Sequence, residues 1–254
     1  MMKRLILIFS IILLPLTASA QFYVTGDDPG RLRWNYIDTD NFRIIYPQGS
    51  DSLARVYGTN LEKYRIPVSR SSGYTPVGTG RLRMPVVLHA WNSSNGSVAW
   101  APKRMDLFTI PSAYTSEALP WADMLAVHES RHVTQMQFGT TKALRPFNWA
   151  FGEMFNILVS IMYPGIDFME GDAVITETAF SNSGRGRSAE FLNYYRVALD
   201  NGGIRKWGQW SFDSQKNYSP NYYALGYLTL GGIRTFYDCP EYMSDVYHDI
   251  AARP

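Results

Sequence analysis

The chain has a single cysteine, Cys239, among 254 residues, so no intramolecular disulfide can form and stability has to come from a packed core. It has almost no excess of either charge. Lys and Arg number 24 against 22 Asp and Glu, and two of the basic residues, Lys3 and Arg4, lie at the extreme N-terminus. So balanced a chain lacks the broad cationic face that nucleic acid requires, and no nucleic-acid partner is expected. Internal repeats and long low-complexity tracts are also missing. Beyond the N-terminus no apolar run reaches the roughly 20 residues of a membrane span. The nearest candidate, "FNWAFGEMFNILVSIM" from Phe147 to Met162, is shorter and contains Glu153. It reads as a buried helix, so membrane contact is not expected, with shallow contact as the remaining alternative. Histidine is scarce too, with only His89, His128, His132 and His248.

Residues 1–20, "MMKRLILIFSIILLPLTASA", have a basic start, an apolar stretch from Leu5 to Leu16 and small residues at Ala18 and Ala20. That order predicts a secretory signal peptide cleaved before Gln21, and export to a periplasmic, envelope or extracellular location. The 17 Tyr and 7 Trp read first as an aromatic-rich core, with handling of extended peptide as the alternative.

Periodicity predicts an α+β order. "NFRIIYP" (41–47) and "RLRMPVVLHAW" (81–91) read as strands, "DSLARVYGTNLEKY" (51–64) as a helix between them, and "SVAWAPKRMDLFTIP" (97–111) as one or two further strands bent at Pro102. Helices are then expected over 121–138, 148–162, 168–180, 189–201 and 221–237. The Gly/Ser/Arg cluster "SNSGRGRS" (181–188) reads as a solvated loop. No linker divides residues 21–254, which read as one domain: a small strand-rich part followed by a helical part.

Within the first of these later helices stands "HESRH", His128 to His132. Residues four apart share a helix face, so both imidazoles can reach one metal ion. Glu129 sits beside them, where it can take a proton from metal-activated water without being a ligand. With this composition the pattern arises by chance in roughly a few chains per thousand. A catalytic zinc needs a third protein ligand and an open position. "DFMEGDAVITE" (167–177) offers Glu170, with Glu177 two turns later on the same face. His89 and His248 have no ligand-like sequence neighbours and read as structural.

HESRH followed by EG-x-A-x-x-x-E resembles the gluzincin metallopeptidases, the clan of thermolysin and aminopeptidase N, and within it more closely the peptidase-MA-like branch. The resemblance implies a Zn2+ cofactor, Glu170 as the third ligand, a small sheet with an edge strand ahead of the zinc helix, and a peptide or protein substrate. It also implies a tyrosine three residues before a glycine as hydrogen-bond donor to the tetrahedral intermediate. In "SPNYYALGYL" that is Tyr223, with Gly226 at the matching spacing and Tyr222 and Tyr218 as neighbours that could substitute.

Three departures matter. The gap between His132 and Glu170 is 37 residues, longer than in aminopeptidase N, so an inserted segment must loop out and return. Val174 stands where thermolysin-like members have an Asp that orients a zinc-bound His, which passes that supporting role to Glu177. The region around Gly96, where aminopeptidases carry an acidic anchor for a free amine, has no acidic residue before Asp106.

An endopeptidase is therefore expected rather than an aminopeptidase. The alternative is a cell-envelope binding or assembly module that retains the zinc site without turnover. Longer relatives often continue into a β-propeller region, and the helical part here looks unfinished at its C-terminal end, which reads as a fragment or a short relative.

Overall fold

The computed structural model describes residues 28–253 apart from 77–81, 92, 113–117, 204, 213–215 and 217–220. The expected signal peptide and Tyr218 lie outside the described residues.

Five strands come first: β1 (Trp34–Asp38), β2 (Phe42–Pro47), β3 (Met84–His89), β4 (Gly96–Trp100) and β5 (Lys103–Phe108). They form one sheet in the order β1-β2-β3-β5-β4. β2, β3 and β5 run parallel, while β1 and β4 pair antiparallel at the two ends. A parallel pair needs a crossover, and helix α1 (Asp51–Arg70) supplies it between β2 and β3. Ala101 and Pro102 turn β4 tightly into β5, which leaves β4 as an edge strand, as the resemblance implies.

One face of the sheet is apolar because alternate residues point the same way. Ile44, Val86, Leu88, Met105 and Leu107 are completely buried against Ala54, Tyr57 and Leu61 of α1 and against Met124, Leu125 and Ala126 of α2 (Trp121–Phe138). The architecture is α+β: a small N-terminal sheet followed by a mainly helical remainder. α2 lies at the junction, packed against α1 and β4 and, in addition, against α5 (Ile166–Ala179). The later helices are α3 (Arg145–Phe151), α4 (Glu153–Met162), α6 (Ala189–Asp200), the short α7 (Trp207–Ser211), α8 (Tyr222–Phe236) and α9 (Tyr242–Ala252).

α5 and α8 touch backbone to backbone. A Cβ on Gly171 would run into Gly226 and the Tyr227 nitrogen, and one on Gly226 would run into the Asp167 carbonyl. This crossing joins the EG pair of α5 to the Y-x-x-G of α8, so both glycines are there for close approach.

Two expectations need correction. Residues 148–162 are not one buried helix: the chain breaks at Gly152, whose φ of 69° belongs to glycine, into α3 and α4. Among the described side chains of α4 only Asn156 is buried. Together α3 and α4 form the segment that loops out between His132 and Glu170. Residues 185–187 of the expected solvated loop form a 3-10 turn packed on α5 and α6, with Gly186 against the Tyr227 ring. His89, read as structural, lies between two carboxylates, hydrogen-bonded to Asp28 through Nδ1 and 3.2 Å from Asp106 through Nε2. Among the described residues no helix is long and apolar enough to cross a membrane.

Candidate metal centre

α2 buries polar residues that a surface helix would expose. His128, Glu129, Arg131, His132 and Gln135 are each at most 8% exposed, because the sheet and α1 cover one side of the helix and α5 the other. Burying so many polar groups is costly unless each has a partner, and the partners come from α5 and the 185–187 turn.

His128 Nε2, His132 Nε2 and Glu170 Oε2 converge. The two nitrogens are 3.1 Å apart, and the oxygen lies 3.0 Å from the first and 3.1 Å from the second. Among the described residues this is the one His/Cys/Asp/Glu group able to offer three ligand atoms to a single ion. Separations of roughly 3 Å are those of ligands sharing one small ion at bond lengths near 2.0–2.2 Å.

The rear atoms of both imidazoles are engaged. His132 Nδ1 lies 2.8 Å from Gln135 Oε1, and since a carbonyl oxygen only accepts, Nδ1 carries the proton and a neutral ring leaves its Nε2 lone pair facing inward. Gln135 is itself held: its amide nitrogen donates to Asp172 Oδ2 at 2.9 Å, and Asp172 takes a two-pronged bond from Arg131 at 2.6 and 2.7 Å and the Tyr247 hydroxyl at 3.0 Å. An ion pair this deep is stable only with its lone pairs satisfied, and here they are.

His128 Nδ1 lies 3.2 Å from Glu177 Oε2. The Arg185 guanidinium covers the pair, donating to Glu177 from Nε at 2.7 Å and Nη2 at 3.0 Å, with Nη2 also 2.9 Å from His128 Nδ1. An arginine only donates, so an imidazole holding an ion through Nε2 keeps its proton on Nδ1 and gives it to Glu177, leaving Arg185 paired to the carboxylate alone.

The electrostatics agree with a cation site. Burial would raise the Glu170 carboxyl, but the charge of His132 and hydrogen bonds from both imidazoles hold it well below the usual range. Burial likewise opposes ionisation of Glu177, yet the Arg185 charge and the His128 contact bring it down to about 2. Burial lowers His132, but Glu170 outweighs it and lifts the ring to about 9; a bound cation would take the place of that proton.

Glu129 behaves differently. It is 2% exposed, its Oε2 has no hydrogen-bond partner among the described residues, and burial pushes its carboxyl upward. An orphaned buried carboxylate oxygen is expensive and fits a group whose partner arrives with the ion and its water. β4 crosses close beside it: a Cβ on Gly96 would strike Glu129 Oε1 and Leu125. The residues therefore fit a divalent metal with an acid–base group at its side.

Tyr223 is brought to the same place by the Gly171–Gly226 crossing. Its ring centroid is 6.1 Å from that of His128, with the Arg185 guanidinium carbon 5.2 Å from its centre. Asn221 fixes the start of α8, its side-chain oxygen accepting from the Tyr223 and Ala224 nitrogens at 2.9 and 3.3 Å. Burial, then the Glu170 charge, keeps the phenol protonated far above neutral pH, so its O–H is available to donate where charge develops. Tyr222 stacks on Tyr223 at 4.7 Å and is more exposed.

Arg185, Asp172, Gln135 and Arg131 were not picked out by sequence reasoning. Asp172 lies two residues after Glu170, Gln135 three after His132, and Arg131 inside HESRH, so proximity to the motif was the available signal. Arg185 had none. Comparison of the chain with protein-family models, with curated proteins and with solved structures finds no match.

Proposed function

We propose that this protein is a zinc-dependent peptidase of gluzincin type, exported by a cleaved leader. The observation that carries the reading is the three-atom convergence of His128, His132 and Glu170 beside the unpartnered carboxylate of Glu129. When bound, a zinc ion supplies Lewis acidity that polarises a carbonyl and makes water a usable nucleophile near neutral pH.

The chain's own groups do the rest. His128, His132 and Glu170 hold the cation, and Gln135 and Glu177 orient the two rings. Glu129 accepts the proton of the attacking water and passes it to the departing amine. Tyr223 donates a hydrogen bond to the carbonyl oxygen as it gains negative charge. The outer edge of β4 offers backbone groups to an extended peptide, which aligns a substrate on both sides of the cut.

An endopeptidase fits better than an aminopeptidase. Asp106, the first acidic residue after Gly96, is committed to other partners, with Oδ1 facing His89 and Oδ2 accepting from Arg104 at 2.8 Å.

The test combines metal content and cleavage. Purified protein should hold about one zinc per chain, lost in His128→Ala, His132→Ala and Glu170→Ala but kept in Glu129→Gln, which should lose about 10²-fold or more of its rate. A mixed peptide library should be cut whether or not its N-termini are acetylated. Exclusive release of single N-terminal residues would replace the endopeptidase reading, and zinc-loaded protein that cuts neither set would favour the binding module.

A further inference from the structure

The α3–α4 hairpin is built inside out. A surface helix normally turns its apolar stripe to the core and its polar face to water. On α4 the buried side chain is Asn156, whose amide donates to the Met136 carbonyl at the end of α2 at 2.6 Å. Met154, Leu158 and Met162, spaced by four and so on one face, point outward at 61, 55 and 75% exposure. α3 extends the apolar surface with Phe147 and Phe151 at 47 and 67%, and with Trp149 at 89%. Phe147 and Phe151 flank Phe155, with centroids 5.5 and 6.2 Å from it, so the aromatic ridge supports itself. An exposed apolar patch of this extent marks an interaction surface.

Charge and shape identify the occupant. From Lys142 to Ile166 the charged residues are Lys142, Arg145 and Glu153. Glu153 is tied inward, its Oε2 accepting from the Lys103 backbone nitrogen at 2.9 Å. Lys142 and Arg145 are exposed at the start of the hairpin, and neither forms an ion pair among the described residues. The surface is a protruding ridge, since among the described residues the substantial contacts of α3 are with α4 and with the 3-10 turn Lys142–Leu144 before it. A ridge of Trp, Phe, Met and Leu with two exposed cations at one end, Lys142 beside His248 and Arg145, matches the interface of an anionic bilayer, where aromatic rings sit at headgroup level and Lys or Arg meets phosphate.

We propose that the α3–α4 hairpin docks the protein on a lipid bilayer carrying anionic lipid, with Trp149 and the Met154/Leu158/Met162 stripe seated in the headgroup–acyl boundary. This takes up shallow membrane contact, the alternative left beside the reading of the segment as a buried helix. It does not depend on the metal centre. Through Asn156 on α2 and Glu153 on the β4–β5 turn, docking would hold the edge strand close to the lipid surface.

The test is vesicle flotation of the exported, processed protein, its N-terminus read by mass spectrometry, on phosphatidylcholine vesicles with and without phosphatidylglycerol. The wild type should float with the anionic vesicles. Met154→Ser/Leu158→Ser/Met162→Ser should weaken partition roughly tenfold or more through lost apolar burial. Lys142→Glu/Arg145→Glu should weaken it on anionic vesicles only, while Phe236→Ser, an exposed apolar change on α8 and outside the hairpin, should leave it unaltered. Should the triple variant misfold, brominated lipids supply a second reading: they should quench fluorescence in the wild type that Trp149→Phe lacks. Failure of the wild type to float, flotation indifferent to the hairpin changes, or a concentration-dependent dimer or protein complex abolished by them without lipid binding would each overturn the proposal.

Discussion

Glu177 Oε2 lies 3.2 Å from His128 Nδ1, directly behind the ring whose Nε2 faces Glu170 Oε2 at 3.0 Å. Glu177 is fully buried, so its charge is supported among the described residues by the Arg185 guanidinium, and its link to His128 sets which ring nitrogen carries the proton.

Glu177→Gln keeps the shape and removes the charge. Zinc affinity measured by chelator competition should fall about 10–100-fold, the usual cost of losing a partner behind a metal-bound imidazole. An unchanged affinity in a folded variant would show that Glu177 serves Arg185 only.

Tyr223→Phe removes one donor without altering the ring that packs near His128. Its kcat should drop by about 10²–10³, equivalent to roughly 2.7–4 kcal/mol, with KM and zinc content little changed. A KM effect with intact kcat would place Tyr223 in ground-state binding.

Gly171→Ala tests the helix crossing. The added methyl meets the Gly226 backbone, which cannot give way like a side-chain tip, so α5 and α8 must separate. Stability by denaturant midpoint should fall by about 1–3 kcal/mol, and activity should fall further because Tyr223 moves away from Glu170. Wild-type stability would contradict the close approach.

His89 should give a pH-dependent contribution to stability. Burial lowers its pKa, but hydrogen bonds to Asp106 and Asp28 and their charges outweigh that and raise it, while Asp106 is held low against burial by His89 and Arg104. A raised histidine stabilises the fold fully below its unfolded pKa of about 6.5 and loses that contribution as pH rises through the folded value. The Asp106 contribution is present above about pH 4 and lost as pH falls through its depressed value. The difference in melting temperature between wild type and His89→Gln should therefore be largest from about pH 4 to 6.5 and shrink toward pH 9. A difference that grows with pH would reverse the assignment.

Much of this was legible in the residues themselves. The α+β order and the helix over 121–138 follow from local periodicity, while the edge strand was implied by the resemblance. The pairing of His128 with His132 follows from a spacing of four on a helix, which fixes two side chains on one face before any tertiary contact forms. Glu170 and Tyr223 were reached through resemblance, and the structure brings both beside the histidines.

What only tertiary structure decided involves groups far apart in the chain or facing a direction that composition does not encode. Arg185 looked like part of a solvated Gly/Ser/Arg loop, and only the packing of that turn on α5 puts it against Glu177 and His128. Asp172 supports His132 through Gln135 because α2 and α5 lie side by side, a relation no spacing announces. The apolar run at 147–162 was expected to be buried because apolar content usually is, yet a helix's period says only that it has an apolar face. Which way that face points depends on what the rest of the fold leaves to cover it, and here Asn156 took the inward position.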